Sequence, residues 1–344
     1  MVNLGIIGCG GIGNHHAGIL AKMTNVRVAV VCDIVEHRAQ TLAGKLGCEF
    51  VLDYRGVMDK VDAVFICTPP EVRVDVIAAA ARAGKQIFCE KPIALNVAEA
   101  DQIIRIVEPA GVKFMLGYVL RFTQPYKLLH DCFASGELGG LVNCWTRRYM
   151  GMDPRKTWHN WQDKSGGVAL DFGSHDIDWL MWVGGTVKTV FAHAARVREG
   201  VQSDEHSQSM LVFGKGGMGC ADVSWLEAVS ESSIGVIGTA GSMSVDRAGT
   251  VRRRMWGSKE ETVATQGSMS VDPQGKLGAR TAEGAIQAVA QETETIQQHF
   301  IRCIEQDVPP AVTAEQGRNV LEAVLAINES ARTGRAVKLR GARG

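Results

Sequence analysis

The chain has 344 residues, 46% hydrophobic and 22% charged, with 37 basic against 37 acidic side chains and a formal net charge of zero. That length suits two domains rather than one, and the balanced charge excludes the basic footprint of a nucleic-acid binder. No apolar run approaches the ~20 residues of a bilayer span. The nine cysteines form no C-x-x-C pair and sit near no zinc-spaced histidines, which argues against a disulfide framework and against a metal site. A cytoplasmic protein is expected, with no membrane or nucleic-acid partner.

Short apolar runs alternate with helical patterns over the first third. Leu4–Ile7, Val26–Cys32, Val61–Cys67, Gln86–Cys89 and Val112–Leu116 read as strands. Most are too continuously apolar to be half exposed, as in a parallel sheet covered on both faces. Arg73–Ala83 and Val97–Glu108 read as helices between them, so residues 1–120 predict a doubly wound α/β domain.

The rhythm changes after a helical stretch at Pro125–Ser135. Leu141–Tyr149, Val187–Val197, Ser209–Phe213, Met218–Trp225, Ser232–Gly238 and Thr250–Trp256 are strand-like, and one helix, Gly167–Val183, interrupts them. Residues 121–344 therefore predict an α+β domain on a mostly antiparallel sheet. The polar, Gly/Ser-rich residues 257–282 predict a loop. Two helices close the chain, through Ile296–Ile304 and from about Thr313 to Ser330, the second opened by a capping box, Thr313-Ala-Glu-Gln316.

Gly8-Cys9-Gly10-Gly11-Ile12-Gly13 matches G-x-G-x-x-G between a predicted strand and a predicted helix, and Asp33 ends the next strand 20 residues beyond Gly13. Glycines admit a pyrophosphate to a helix N-terminus, and the acid accepts from a ribose hydroxyl. This context predicts a dinucleotide site formed by Gly8, Gly10, Gly11, Ile12, Gly13, Asp33 and Ile34. An acid at 33 repels a 2′-phosphate, so NAD is favoured and NADP is the second choice. Arg38 either reaches a phosphate or the adenine, or is an ordinary helix-surface arginine.

Ligands of such sheets bind beyond the strand carboxyl ends. Two such ends carry Cys67-Thr68-Pro69-Pro70 and Cys89-Glu90-Lys91-Pro92. Thr68, Pro69 and Glu90 are expected to line the cofactor. Lys91, beside a fixed proline, suits a hydrogen bond to a hydroxyl that becomes a carbonyl.

With Gly166-Gly167…Asp171…His175-Asp176-Ile177-Asp178 added, these motifs resemble the glucose–fructose oxidoreductase / inositol dehydrogenase / MocA family, inositol 2-dehydrogenase-like members above all. The resemblance runs nearly the whole length, to Ser330-Ala-Arg-Thr-Gly334. It implies an N-terminal Rossmann domain and a C-terminal domain with a large open sheet that joins subunits into a homo-oligomer, a dimer or tetramer. By position it implies Lys91, Asp171 and His175 as catalytic residues and Arg121 near the substrate. Val168 stands where the family often has a third glycine.

Asp171, His175 and Asp178 stand at i, i+4 and i+7, which on a continuous helix share one face. Gly173 would cost about 1 kcal/mol relative to alanine inside such a helix, which suggests that something large approaches its backbone. His175 titrates in the range of a general base, Asp171 would orient it, and Lys91 would steady the oxyanion. Asp178 reads as structural. Trp158 and His159, in a predicted loop with Asn160 and Trp161, suit a sugar or cyclitol, or alternatively anchor the loop. The expected activity is an NAD-dependent dehydrogenase acting on a CH–OH of an inositol or pyranose-like substrate. Two rivals stay open: a redox-neutral enzyme that oxidises transiently and then eliminates or cleaves, and a non-catalytic nucleotide-binding sensor.

Overall fold

The computed structural model describes residues 1–226, 231–265, 269–271, 277–279 and 294–339. Two compact units are present, Met1–Tyr118 with Glu294–Arg318, and Val119–Thr293 with Asn319–Gly344. Sequence reasoning drew one division near residue 120; in the structure the chain returns to the first unit at Glu294.

In the first unit, β1 (Val2–Ile7), β2 (Val26–Cys32), β3 (Glu49–Val51), β4 (Ala63–Ile66), β5 (Gln86–Cys89) and β6 (Phe114–Leu116) form a six-stranded sheet. Its order is β3-β2-β1-β4-β5-β6, and every neighbouring pair is parallel. The crossovers carry α1 (Gly11–Leu20), α2 (Glu36–Leu46), α3 (Arg73–Arg82) and α4 (Val97–Ala110). Strand order reverses between β1 and β4, so the carboxyl ends of these two strands open the crevice where such sheets take their ligands. β4 is buried at every residue, as a strand covered on both faces must be. The short β3 lacked a periodic signal.

The second unit carries α5 (Gln124–Ala134), β7 (Leu141–Tyr149), α6 (Gln162–Ser165), α7 (Gly167–Asp171), α8 (Ser174–Gly184), β8 (Val187–Ala195), β9 (His206–Phe213) and β10 (Met218–Ser224). Then come β11 (Glu231–Gly238), β12 (Gly241–Val245), β13 (Thr250–Met255) and β14 (Glu261–Thr265), with β15 (Met269–Val271) and β16 (Leu277–Ala279) paired separately. The nine-stranded sheet closes with β17 (Val337–Lys338) in the order β14-β13-β12-β11-β7-β10-β9-β8-β17. Among the described strands of this sheet only β7 and β10 pair in parallel. Helix α8 packs on β7 and β10, and α5 on β11 and β12. β9 alternates buried and exposed residues along its length, the pattern of a sheet with one solvated face.

Two expectations need correction. Residues 257–282 are not simply a loop: β14, β15 and β16 lie within them, and residues 266–268, 272–276 and 280–282 fall outside the described residues. The expected helix Gly167–Val183 is two helices, broken at Phe172–Gly173.

Before β17 come α9 (Ile296–Glu305) and α10 (Ala314–Thr333). Phe300 of α9 meets Phe65 and Phe88 edge-on, at 5.5 and 5.7 Å between ring centroids, and those two rings stack at 4.6 Å. That apolar contact seats α9 in the first unit. The Thr313 capping box forms, with Gln316 N–H donating to Thr313 Oγ1 and Thr313 N–H to Gln316 Oε1, and Thr295 with Gln298 makes a second one opening α9.

Candidate active site

The glycine fingerprint occupies the β1–α1 turn. Gly8 has φ +102, and a Cβ there would lie 2.7 Å from the Cys67 carbonyl oxygen; at Gly13 it would lie 1.9 Å from the Gly8 oxygen. These two positions demand glycine for turn and packing. Gly10 and Gly11 differ, since space lies open where a Cβ would sit. Asp33 Oδ2 accepts from Cys9 N–H and Oδ1 from Val35 N–H, both at 2.8 Å, which fixes the carboxylate beside the loop. Ile12 and Ile34 expose 39% and 89% of their surface, and Thr68 Oγ1 is buried with no hydrogen-bond partner among the described residues. Open glycines, a fixed carboxylate, exposed apolar side chains and an unsatisfied hydroxyl fit a dinucleotide. Arg38 is exposed on α2, and Pro69 is exposed after β4. The Cys9 thiol is pushed up to about 12 by burial and by Asp33, so it stays protonated and unreactive.

Lys91 follows β5, half-buried, with its peptide to Pro92 cis. Glu90 grips the turn from one side: its Oε2 accepts from Lys91 N–H at 3.1 Å, and its Oε1 pairs with His16 Nε2 at 2.9 Å. Gln297 Nε2 lies 2.8 Å from His16 Nδ1. Burial pushes the Glu90 carboxyl up, but His16, Lys91 and Arg73 outweigh it and hold it below the ordinary range. Arg73, the first residue of α3, grips from the other side. Its guanidinium donates to the carbonyls of Thr68, Glu90, Lys91 and Pro92.

In the second unit, Gly166 and Gly167 have φ +69 and +70, a pair of left-handed residues that only glycine adopts readily. They turn the chain from α6 into α7. The following helix then breaks. Phe172 and Gly173 N–H both donate to Val168 O, at 3.1 and 2.8 Å. Arg148 of β7 satisfies the Phe172 carbonyl at 2.7 Å, lies 3.9 Å over the Phe172 ring and binds Asp176 through Nε and Nη2. Gly173 is needed because a Cβ there would meet Ala169 O at 2.9 Å and Val223 Cγ2 at 3.1 Å. What approaches its backbone is the previous helical turn and the sheet.

The break changes how the three polar residues present themselves. Asp171 and His175 are half-buried, whereas Asp178 is fully buried and takes Arg121 in a two-pronged pair at 2.9 and 2.6 Å. Asp171 Oδ2 lies 3.4 Å from His159 Nε2, and Thr157 Oγ1 holds His159 Nδ1 at 2.7 Å. Trp158 stacks on His159 at 4.1 Å between centroids and is 37% exposed. The loop is pinned from beneath: Asn160 Nδ2 donates to Gly200 O at 3.4 Å, and Gln162 Oε1 accepts from Asp204 N–H at 2.9 Å.

In the first unit Asp33 is tied to the glycine loop, and Thr68, Glu90 and Lys91 share the Arg73 guanidinium; in the second His159 meets Asp171, while Arg121 is taken up by Asp178. Sequence reasoning missed Arg73, His16, Gln297 and Arg148. The only hint was an arginine placed at a helix start, the end that disfavours cations. Among the described residues no group of three or more His, Cys, Asp or Glu could hold a metal ion, and no helix is long and apolar enough to cross a membrane.

Comparison with known proteins matches residues 2–118 to the oxidoreductase family with an NAD-binding Rossmann fold, and residues 126–244 to the GFO/IDH/MocA C-terminal domain. A myo-inositol 2-dehydrogenase from Thermotoga maritima is 28% identical over 347 residues, spanning 98% of either chain. A 2,7-anhydro-N-acetylneuraminate hydratase from Escherichia coli is 26% identical over 266 residues, 73% of this chain and 70% of the relative. The crystal structure of a probable dehydrogenase from Thermotoga maritima superposes with a TM-score of 0.80 at 27% identity, over 98% of each chain.

Proposed function

Since the chain belongs to the Gfo/Idh/MocA family of NAD-binding oxidoreductases, we propose that it oxidises a CH–OH group of a cyclic polyol or pyranose-like sugar. The observation that supports this reading is the contact of His159 with Asp171, four residues before His175 in the chain, on and beside a loop that exposes Trp158. Indole faces stack on the C–H faces of sugars, and the polar side chains supply hydroxyl partners.

The chain's residues divide the work as follows. Gly10 and Gly11 with the α1 N-terminus receive the pyrophosphate, and Asp33 with Ile34 and Thr68 receives the adenosine and nicotinamide halves. When bound, NAD supplies the hydride acceptor. His175 removes the hydroxyl proton, Asp171 stabilises the resulting imidazolium, and Lys91 hydrogen-bonds the oxygen as its charge develops. Arg121, fixed by Asp178, borders the substrate. Asp33 favours NAD over NADP.

A redox-neutral reaction on the same cofactor is the second reading, favoured by the hydratase relative. We place the protein in a reducing compartment, the cytoplasm, consistent with nine free thiols. Homo-oligomers would form through the open sheet face, where Phe191 and Met210 are 49% and 47% exposed.

The test is a panel of inositols, monosaccharides and glycosides with NAD and with NADP, read by absorbance and by chromatography. Net NADH from one compound class supports the dehydrogenase. Product without net NADH supports the redox-neutral reading. Full activity of both Lys91→Ala and His175→Ala would overturn the site assignment.

A further inference from the structure

Arg73 is 4% exposed, and among the described residues every hydrogen-bond acceptor of its guanidinium is a backbone carbonyl. It reaches Thr68 O through Nε at 3.0 Å and Nη2 at 2.8 Å, Lys91 O through Nη2 at 3.3 Å, and both Glu90 O and Pro92 O through Nη1. Its placement is costly twice over. A cation at the first residue of a helix opposes the helix dipole, and a guanidinium withdrawn from water must be fully hydrogen-bonded. Four converging carbonyls meet that second demand. They come from two separate strand ends, after β4 and after β5, so one planar fork ties both together. Three of the four belong to the consecutive residues Glu90, Lys91 and Pro92.

We propose that Arg73 is the positioning residue for Lys91. The guanidinium sets the backbone of the Glu90–Pro92 turn against the β4 end, and thereby the origin of the lysine side chain. This rests on the proposed role of Lys91 at the reacting oxygen. Glu90 completes the grip from the opposite side, through Lys91 N–H and the buried His16. A lysine at 73 would keep the charge but lose the fork, because a compact ammonium cannot reproduce the planar, fixed donor directions of arginine. The turn would then relax, and displacement of a catalytic group by about 1 Å can cost ~10²-fold in rate.

A double-mutant cycle tests this, using turnover of the panel compound that reacts, read as NADH or as product. Wild type, Arg73→Lys, Lys91→Ala and the double variant are compared, with thermal unfolding of each. Arg73→Gln serves as the second substitution should Arg73→Lys not fold. The expected result is a fall in kcat of about tenfold to a hundredfold for Arg73→Lys in the wild-type background, and no further fall in the Lys91→Ala background. An equal fall in both backgrounds would overturn the proposal, since Arg73 would then act independently of Lys91. So would unchanged kcat in Arg73→Lys. Should Lys91→Ala itself keep wild-type kcat, the underlying assignment of Lys91 fails, a result distinct from either of these.

Discussion

The Asp171 carboxylate stands 3.4 Å from His159 Nε2, and the other ring nitrogen of His159 is held by Thr157. The acid expected to serve His175 thus faces another imidazole, contributed by the loop before α6. Removing His175 should lower kcat by ~10²–10⁴-fold, as for a general base. His159→Ala should cost roughly tenfold, the worth of one charge-assisted hydrogen bond, and its effect should shrink when Asp171 is already asparagine. Steady-state kinetics of the single and double variants measure this. Equal losses from His159→Ala with and without Asp171 would show that the contact carries no catalytic weight.

Cofactor choice should depend on Asp33. Its two oxygens are fixed by Cys9 and Val35 N–H, so the carboxylate cannot swing away from a 2′-phosphate. Asp33→Ser should weaken NAD use by about tenfold to a hundredfold, the loss of charged hydrogen bonds to a hydroxyl, and raise relative NADP use. The ratio of kcat/KM for the two cofactors is the measurement. An unchanged ratio would remove Asp33 from the site.

Gly173 should tolerate no side chain without consequence. An added methyl would press on Ala169 O and on Val223, an overpacking cost of about 1–3 kcal/mol. Gly173→Ala should lower the unfolding free energy by that amount and reduce kcat, because His175 lies in the first turn of the helix that would shift. A stable, fully active variant would show that the break is not needed to place His175.

Asp178 and Arg121 form a buried pair whose loss on one side leaves a charge without compensation. Asp178→Ala should cost about 3–5 kcal/mol in stability. Replacing both partners by apolar residues of similar size should recover much of that loss, while substrate KM reports whether Arg121 also borders the substrate. Denaturant unfolding of the single and double variants decides it.

Glu90 makes stability depend on pH in a defined direction. Its folded-state carboxyl lies below the ordinary 4.5, because the hydrogen bond and charges around it outweigh burial. A depressed acid stabilises the fold above its unfolded pKa, and that contribution disappears as pH falls through the folded value. The melting-temperature advantage of wild type over Glu90→Gln should therefore be full above 4.5 and shrink below it. A constant difference across that window would mean that the fold leaves the Glu90 carboxyl at its unfolded value.

Much of the first unit was legible because its signals are local. Continuous apolar strands, a fingerprint between strand and helix, and an acid at the next strand end all follow from the chain's own periodicity. The interrupted helix was not legible, since the group that stabilises the break, Arg148, lies 28 residues before Asp176 on a strand. Nor did local pattern reveal that Phe300 returns to Phe65 and Phe88, or that Arg73 reaches carbonyls up to 19 residues away. Asp171 and His175 were singled out by motif, but the contact of Asp171 with His159 comes from loop geometry that no spacing encodes.

The sheet of the second unit has one parallel seam, Met218–Ser224 against Asn143–Tyr149, and β11 runs along the other edge of the same strand. On one side β8, β9 and β10 follow one another as local hairpins, and on the other β11 to β14 do the same. β7 is the shared spine of two meanders, and it must wait some 70 residues of synthesis for its first partner. Both meanders have ladder partners of their own, so length and sequence at either outer edge are free to drift. β7 is not, because it joins the wings and its Arg148 also closes the helix that carries His175.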